Sequence, residues 1–249
     1  MSEAKPEHKQ ENPMVSIGVN VVIPVVILTF LSKEKYLGTV WALVVGLAFP
    51  IGYGLRTLIR DRKADFMSII GIISVTLTGV FGILKLPPEY IAIKEAAIPL
   101  LLGLAIVISL KTPFPLIKKI MMTEALFDVE RLQLALKEKG NETLFEKRLV
   151  GLTWGFASSM FLSSGLNYAL AKIVLKSEPG TEAFTAELGK MTGLSHVVVL
   201  VPCMVVMIWV MNKLFNTLTE LTGLHLDDLL AAHHKKETAP VSVEDARTD

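Results

Sequence analysis

Residues 91–111 read IAIKEAAIPLLLGLAIVISLK, and the apolar run within this stretch decides the class of fold. Crossing the hydrocarbon core of a membrane, which is about 30 Å thick, takes about 20 mainly apolar residues. Lipid cannot satisfy backbone N–H and C=O groups, so a crossing segment must be a helix or part of a closed barrel. Because the apolar residues here are continuous rather than alternating, we predict a transmembrane helix over residues 91–110.

Similar stretches flank this one, and together they predict six transmembrane helices, at about 14–32, 40–59, 66–84, 91–110, 150–174 and 195–216. In a 249-residue chain with 51% hydrophobic residues and a mean hydropathy of +0.51, these spans leave no room for a sizeable soluble domain. We therefore predict an all-α polytopic membrane protein, built as a bundle of six transmembrane helices. The remaining parts are a polar N-terminus (1–13), an amphipathic loop (111–149) and a C-terminal tail (217–249).

Lys and Arg residues concentrate in every second gap between these stretches. Short loops rich in Lys and Arg stay on the cytoplasmic side of a membrane, so we expect both termini and the loop 111–149 in the cytoplasm. We assign a role in orientation or in lipid-headgroup contact to the basic residues of two of these loops. These residues are Arg56, Arg60, Arg62, Lys63, Lys118 and Lys119.

Composition and motifs argue against several classes of function. The net charge of +1 gives no reason to expect a nucleic-acid partner, and membrane lipids are the partners that the sequence indicates. The single Cys203 supports neither a disulfide framework nor a cysteine metal site, and His225, His233 and His234 are accompanied by no carboxylate or cysteine in a chelating pattern. HExxH, GxSxG and phosphate-cradling glycine motifs do not occur in the sequence. We expect no metal, no cofactor and no enzymatic activity.

Lys94 and Glu95 are the sharpest candidates for a functional site, because both fall inside the predicted helix 91–110. A charge in hydrocarbon costs several kcal/mol unless it is paired or hydrated, so such residues usually face the bundle interior or a water-filled cavity. One hypothesis is an ion, proton or anionic-substrate site that opens to the outer face. The alternative is that Lys94 extends to the interface while Glu95 pairs with a neighbour.

Three more polar residues fall inside the predicted spans, namely Asn20, Asn167 and His196. Together with Lys94 and Glu95 they define a candidate polar vestibule. Taken singly, each is also explained by a hydrogen bond between helices.

Two short segments suggest an internal repeat. Residues 20–24 read NVVIP and residues 95–99 read EAAIP, each with a polar residue four positions before a proline. Three spans per half would make the two halves inverted in the membrane, as in many transporters. The alternative is chance, since proline is common in membrane helices.

The order of several motifs resembles that of the intracellular septation protein A family of small bacterial inner-membrane proteins, and of its larger, uncharacterised relatives. The similar segments are RTLIRDRK (56–63), SVTLTGVFGIL (74–84), IAIKEAAIP (91–99), KTPFPLIKKIM (111–121) and GLN (165–167). The resemblance covers roughly residues 14–216. The chain departs from the family at Ile93, where the family often has tryptophan, and in a longer loop over residues 121–147. The resemblance implies a multi-pass protein of the bacterial inner membrane with an association with the cell envelope or cell division.

Two hypotheses about function follow. The first is a non-enzymatic membrane protein that supports envelope maintenance or division through protein or lipid partners. The second is a transporter of a small solute or a lipid, with an outward-facing vestibule around Lys94, Glu95 and Asn167. A polar cavity that reaches the middle of the bilayer between Asn20, Glu95 and Asn167 would favour transport, whereas spans that close tightly over small residues would argue against it. The oligomeric state is left open.

Overall fold

The computed structural model describes residues 14, 17–61, 66–112, 127–225 and 228, and over these ranges the chain forms helices and no strand. The predicted all-helical class is therefore confirmed. Helix α1 spans Gly18–Phe30, and its first turn, Gly18–Val22, is a π-helix. The other helices are α2 (Gly38–Asp61), α3 (Phe66–Ile83), α4 (Pro88–Ser109), α5 (Val129–Glu138), α6 (Glu142–Val174), α7 (Glu182–Val198) and α8 (Leu200–Thr222).

Within the described ranges, four helical segments are long and apolar enough to cross a membrane: Gly38–Arg56, Pro88–Ser109, Glu142–Val174 and Glu182–Thr222. Gly18–Phe30 and Ile69–Ile83 are shorter apolar helices. Large apolar side chains cover the outside of these helices, such as Trp41, Leu101 and Val205, which are 63–64% exposed. Water disfavours contiguous apolar surface of this kind, whereas lipid accommodates it. The six-span arrangement and the inverted repeat stay predictions.

The connection over residues 111–149 contains the amphipathic helix that the sequence predicts before Gly140, and it also contains the first turns of α6, which the sequence does not indicate. Helix α5 ends before Gly140, whose φ of +66° is a left-handed conformation that glycine adopts readily. Helix α6 then begins at Glu142 rather than at residue 150, and its first turns bury Phe145 and Leu149. The first turns of α6 contain charged residues up to Arg148, so they do not belong to an apolar run and were not predicted as part of a span.

Most of helix α7 lies in the gap between the predicted spans 150–174 and 195–216, and the sixth predicted span covers the end of α7 and most of α8. The side chain of Thr181 caps α7 by accepting a hydrogen bond from the N–H of Phe184 at 3.1 Å. Farther along, Glu187 accepts hydrogen bonds from the N–H groups of Lys176 and Ser177 and so orders the preceding turn. Because α7 contains charged residues, its sequence does not form a continuous apolar run, and the helix was not predicted.

The described chain divides into two compact units. The first comprises residues up to 98 together with residues 163–201, and the second comprises residues 99–162 together with residues from 202 onward. In the first unit, α1 packs against α2 and α7, and α2 packs against α3. The second unit has a core of apolar side chains from α4, α5, α6 and α8, including Ile106, Leu132, Phe145 and Leu214.

Candidate functional site

A cavity of about 180 Å³ lies within the first unit, and its wall combines polar and apolar side chains. Six helices contribute to its wall, and most of the lining side chains can form hydrogen bonds. The polar lining residues are Asn20 on α1, Ser74 and Thr78 on α3, Lys94 and Glu95 on α4, Asn167 on α6, and Thr192 and Ser195 on α7. The apolar part of the wall is formed by Pro24, Leu47, Val75, Leu170 and Met191.

The ammonium group of Lys94 is the most highly coordinated group of the cavity. Its Nζ lies 2.7 Å from Glu95 Oε1, 2.7 Å from Thr78 Oγ1, and 3.1 Å from both the carbonyl oxygen and the Oγ of Ser74. The Lys94 side chain is only 8% exposed. An ammonium has three protons to donate, and four oxygen atoms surround this one. Lys94 therefore does not extend to an interface, whereas Glu95 does pair with its neighbour.

The sequence of α3 explains why this ammonium is held here. Residues four apart lie on one face of a helix, so Ser74 and Thr78 are stacked on the side that meets Lys94. Thr78 Oγ1 donates its proton to the Ser74 carbonyl at 3.1 Å, which leaves its lone pairs to accept from Lys94. Burial of an ammonium is very unfavourable without such partners. The cluster thus forms a site at which a positive charge is stable.

Irregular backbone in α1 carries Asn20 to the cavity. The N–H of Ile23 bonds to the carbonyl of Gly18, five residues back, instead of to Val19 as in an α-helix. Pro24 follows and has no N–H, so it cannot donate to the carbonyl four residues earlier. The π-turn and the proline together interrupt the regular α-helical hydrogen bonding next to the cavity. Single π-turns of this kind occur frequently at functional sites.

The remaining polar side chains use their donors within their own helices. The hydroxyl of Thr192 donates to the Leu188 carbonyl at 2.9 Å, and that of Ser195 donates to the Thr192 carbonyl at 2.8 Å. The amide nitrogen of Asn167 donates to the Ser163 carbonyl at 2.9 Å. These groups can therefore interact with a molecule bound in the cavity mainly as hydrogen-bond acceptors, through their oxygen lone pairs.

The structure brings together four of the five residues of the predicted vestibule, namely Asn20, Lys94, Glu95 and Asn167. The fifth, His196, does not line the cavity; its ring is exposed, and Nδ1 lies 3.0 Å from the Thr192 carbonyl.

Of the six basic residues assigned to orientation or lipid contact, Arg56 is exposed on α2, and Arg60 also belongs to α2. The other four, Arg62, Lys63, Lys118 and Lys119, lie outside the described residues, as do His233 and His234.

Four polar lining residues were not predicted as site residues from the sequence: Ser74, Thr78, Thr192 and Ser195. Single hydroxyl groups are common in membrane helices, where they form local hydrogen bonds, so their presence alone does not mark a site. The spacing of Ser74 and Thr78 was the available signal, since it places two oxygens on one helix face.

Among the residues that the structure describes, no group of three or more His, Cys, Asp or Glu side chains is arranged to hold a metal ion. Comparison of the chain with known protein families, with curated proteins and with solved structures found no match.

Proposed function

We propose that this protein is a membrane carrier that binds a small ionic or polar solute in the cavity around Lys94 and Glu95. The observation that carries the proposal is the convergence of Asn20, Glu95 and Asn167, from three helices distant in sequence, on one cavity that also contains a buried ammonium. Ionisable residues within membrane segments are rare, and they usually mark the path of a substrate, an ion or a proton.

The size of the cavity limits the solute. Pockets for drug-sized ligands have volumes of about 300–1,000 Å³. The cavity here, at about 180 Å³, has the volume of roughly six water molecules. It therefore suits an ion or a solute of a few atoms better than a lipid.

The backbone next to the cavity supports transport as well. Carriers bind their substrates where helices are interrupted, because interrupted backbone exposes polar groups at membrane depth. Helix α1 has its π-turn and Pro24 beside Asn20, and α4 contains Pro99 four residues after Glu95. These are the two segments that suggested an internal repeat, and the polar residue of each lines the cavity.

The membrane arrangement is part of the proposal. The apolar helices and the alternation of basic loops support six spans with both termini in the cytoplasm, and the family resemblance supports the bacterial inner membrane. A role in envelope maintenance or division through protein or lipid partners stays a prediction from that resemblance.

Access of water to the cavity tests the proposal. In a Cys203→Ser background, a cysteine at Asn167 would line the cavity, whereas a cysteine at Ile93, which is 57% exposed on an apolar helix surface, would face lipid. Both variants are reconstituted in lipid vesicles and treated from each side with a small, charged thiol reagent. We expect labelling at 167 and none at 93. If neither cysteine reacts in folded protein, the cavity is closed to water and the carrier proposal is wrong.

A further inference from the structure

The oxygen atoms around the Lys94 ammonium have the chemistry of a cation-binding site. They are one carboxylate oxygen of Glu95, the carbonyl oxygen and the hydroxyl of Ser74, and the hydroxyl of Thr78, and each lies within 3.1 Å of Nζ. We call these atoms the oxygen cluster. Carboxylate and carbonyl oxygens are also the groups that replace the hydration shell of inorganic cations in proteins. In this protein, a side chain of the chain itself supplies the cation.

The oxygen cluster borders the space that we propose for the solute. Ser74, Thr78, Lys94 and Glu95 line the same cavity as Asn167. Carriers that move a solute together with an inorganic ion bind that ion close to the solute, where interrupted helices expose oxygen atoms. The Lys94 ammonium therefore fills the position at which such a carrier would bind its coupled ion.

The ammonium holds this position against competing cations. It can donate all of its protons to the oxygen cluster, and the Lys94 side chain is only 8% exposed. A free cation could reach the same oxygens only by displacing the ammonium, because two positive charges at such a short distance repel each other. Since Lys94 is covalently attached, the cluster stays occupied at any concentration of sodium or potassium.

We propose that Lys94 is a tethered cation, whose ammonium occupies the oxygen cluster in place of an inorganic ion, so that solute binding in the cavity needs no sodium or potassium. This inference rests on the proposed carrier function. Lys94 is in this role a positioning residue, because its ammonium holds Ser74 and Thr78 of α3 together with Glu95 of α4. Removal of the Lys94 side chain should leave an empty cluster that a free ammonium ion can fill.

Chemical rescue of Lys94→Ala tests this role, because the part of the side chain that the substitution removes corresponds to n-propylammonium. The full-length variant is purified in propylammonium chloride, which is then replaced in steps by choline chloride at constant ionic strength, and thermal unfolding in detergent is measured at each step. A ligand that binds only the folded state raises the midpoint of unfolding by about 5–10 °C at one hundred times its dissociation constant. We expect such a saturable increase for Lys94→Ala and none for the wild type.

Two controls separate a specific site from a general effect of the salt. Tetramethylammonium has the same charge as propylammonium but no proton to donate, so it should not stabilise Lys94→Ala. Lys172→Ala removes a lysine of the same unit that pairs with Glu89 at 2.9 Å on the surface, where water can replace the ammonium, so propylammonium should not stabilise this variant. Equal responses of Lys94→Ala to the two ions, or of the two variants to propylammonium, would overturn the proposal.

Labelling of Asn167→Cys with Lys94 in place tests whether the cavity needs an inorganic ion. The rate of labelling in vesicles should be the same in sodium, potassium and choline chloride. A specific dependence on sodium or potassium would overturn the tethered cation even if Lys94→Ala does not fold. If the cysteine reacts but propylammonium does not rescue Lys94→Ala, the tethered cation is wrong and the carrier proposal stands. If the cysteine is inert, both proposals fail.

Discussion

The contact between α1 and α7 leads to a sharp prediction about stability, because a glycine of α7 lies directly against α1. A Cβ added to Gly189 would lie 2.6 Å from Thr29 Oγ1, 3.0 Å from Leu28 Cβ and 3.2 Å from the backbone nitrogen of Thr29. Leu28 is 2% exposed, and its Cβ and the Thr29 nitrogen belong to or are bonded directly to the backbone of α1, so they can move aside only if the helix moves. Gly189→Ala should therefore push the two helices apart. This change would also displace Thr192 and Ser195 from the cavity.

The magnitude follows from two opposing terms. Overpacking a close contact costs about 1–3 kcal/mol, and distances this short place Gly189→Ala in the upper half of that range. The gain in helix propensity from glycine to alanine is about 1 kcal/mol. We expect a net destabilisation of about 1–2 kcal/mol.

Gly193 provides a matched control on the same helix. A Cβ at Gly193 would lie 3.6 Å from Val25, which is an ordinary van der Waals distance. Gly193→Ala should keep the propensity gain without the steric cost, so the two variants should differ by about 2–3 kcal/mol. Equilibrium unfolding of both purified proteins in the same detergent measures the difference. Equal stability of the two variants would refute the close approach of α1 and α7.

Two smaller predictions concern single hydrogen bonds. Ser164, which is nearly buried, donates to the Ala96 carbonyl at 2.8 Å, so Ser164→Ala should lower the free energy of unfolding by about 0.6 kcal/mol, the average for hydrogen bonds between membrane helices. Asp128 caps α5 by accepting from the N–H of Arg131 at 3.0 Å, so Asp128→Ala should cost about 1 kcal/mol in the same unfolding assay, whereas Asp128→Asn should preserve most of the cap. Stability unchanged in Ser164→Ala, or lost equally in both Asp128 variants, would contradict these assignments.

The helical class and the approximate positions of the apolar helices follow from the sequence alone. The reason is local: a continuous apolar run in lipid must satisfy its own backbone hydrogen bonds, and a helix does this within one segment. The sequence also singled out Lys94 and Glu95, because a charge within an apolar run is conspicuous without any knowledge of its neighbours.

Helix α7 and the first turns of α6 were not evident in the sequence. Both segments contain charges, such as Glu187 and Arg148, that lower local hydropathy. These charges are satisfied by specific partners: Glu187 accepts from the turn before α7, and Arg148 Nη2 donates to Glu220 Oε1 at 2.8 Å. A pattern of neighbouring residues does not indicate a partner that lies far away in the sequence.

The identity of the polar residues that share a cavity depends on how the helices pack. Asn20, Asn167 and His196 were equivalent candidates in the sequence, yet the packing of α1, α6 and α7 brings the first two to Lys94 and leaves His196 exposed. The packing also adds Ser74 and Thr78, whose spacing of four residues places them on one helix face but does not by itself mark a site. A buried ammonium requires several oxygens at hydrogen-bond distance at once, and for Lys94 these come from Ser74 and Thr78 on α3 and from the adjacent Glu95.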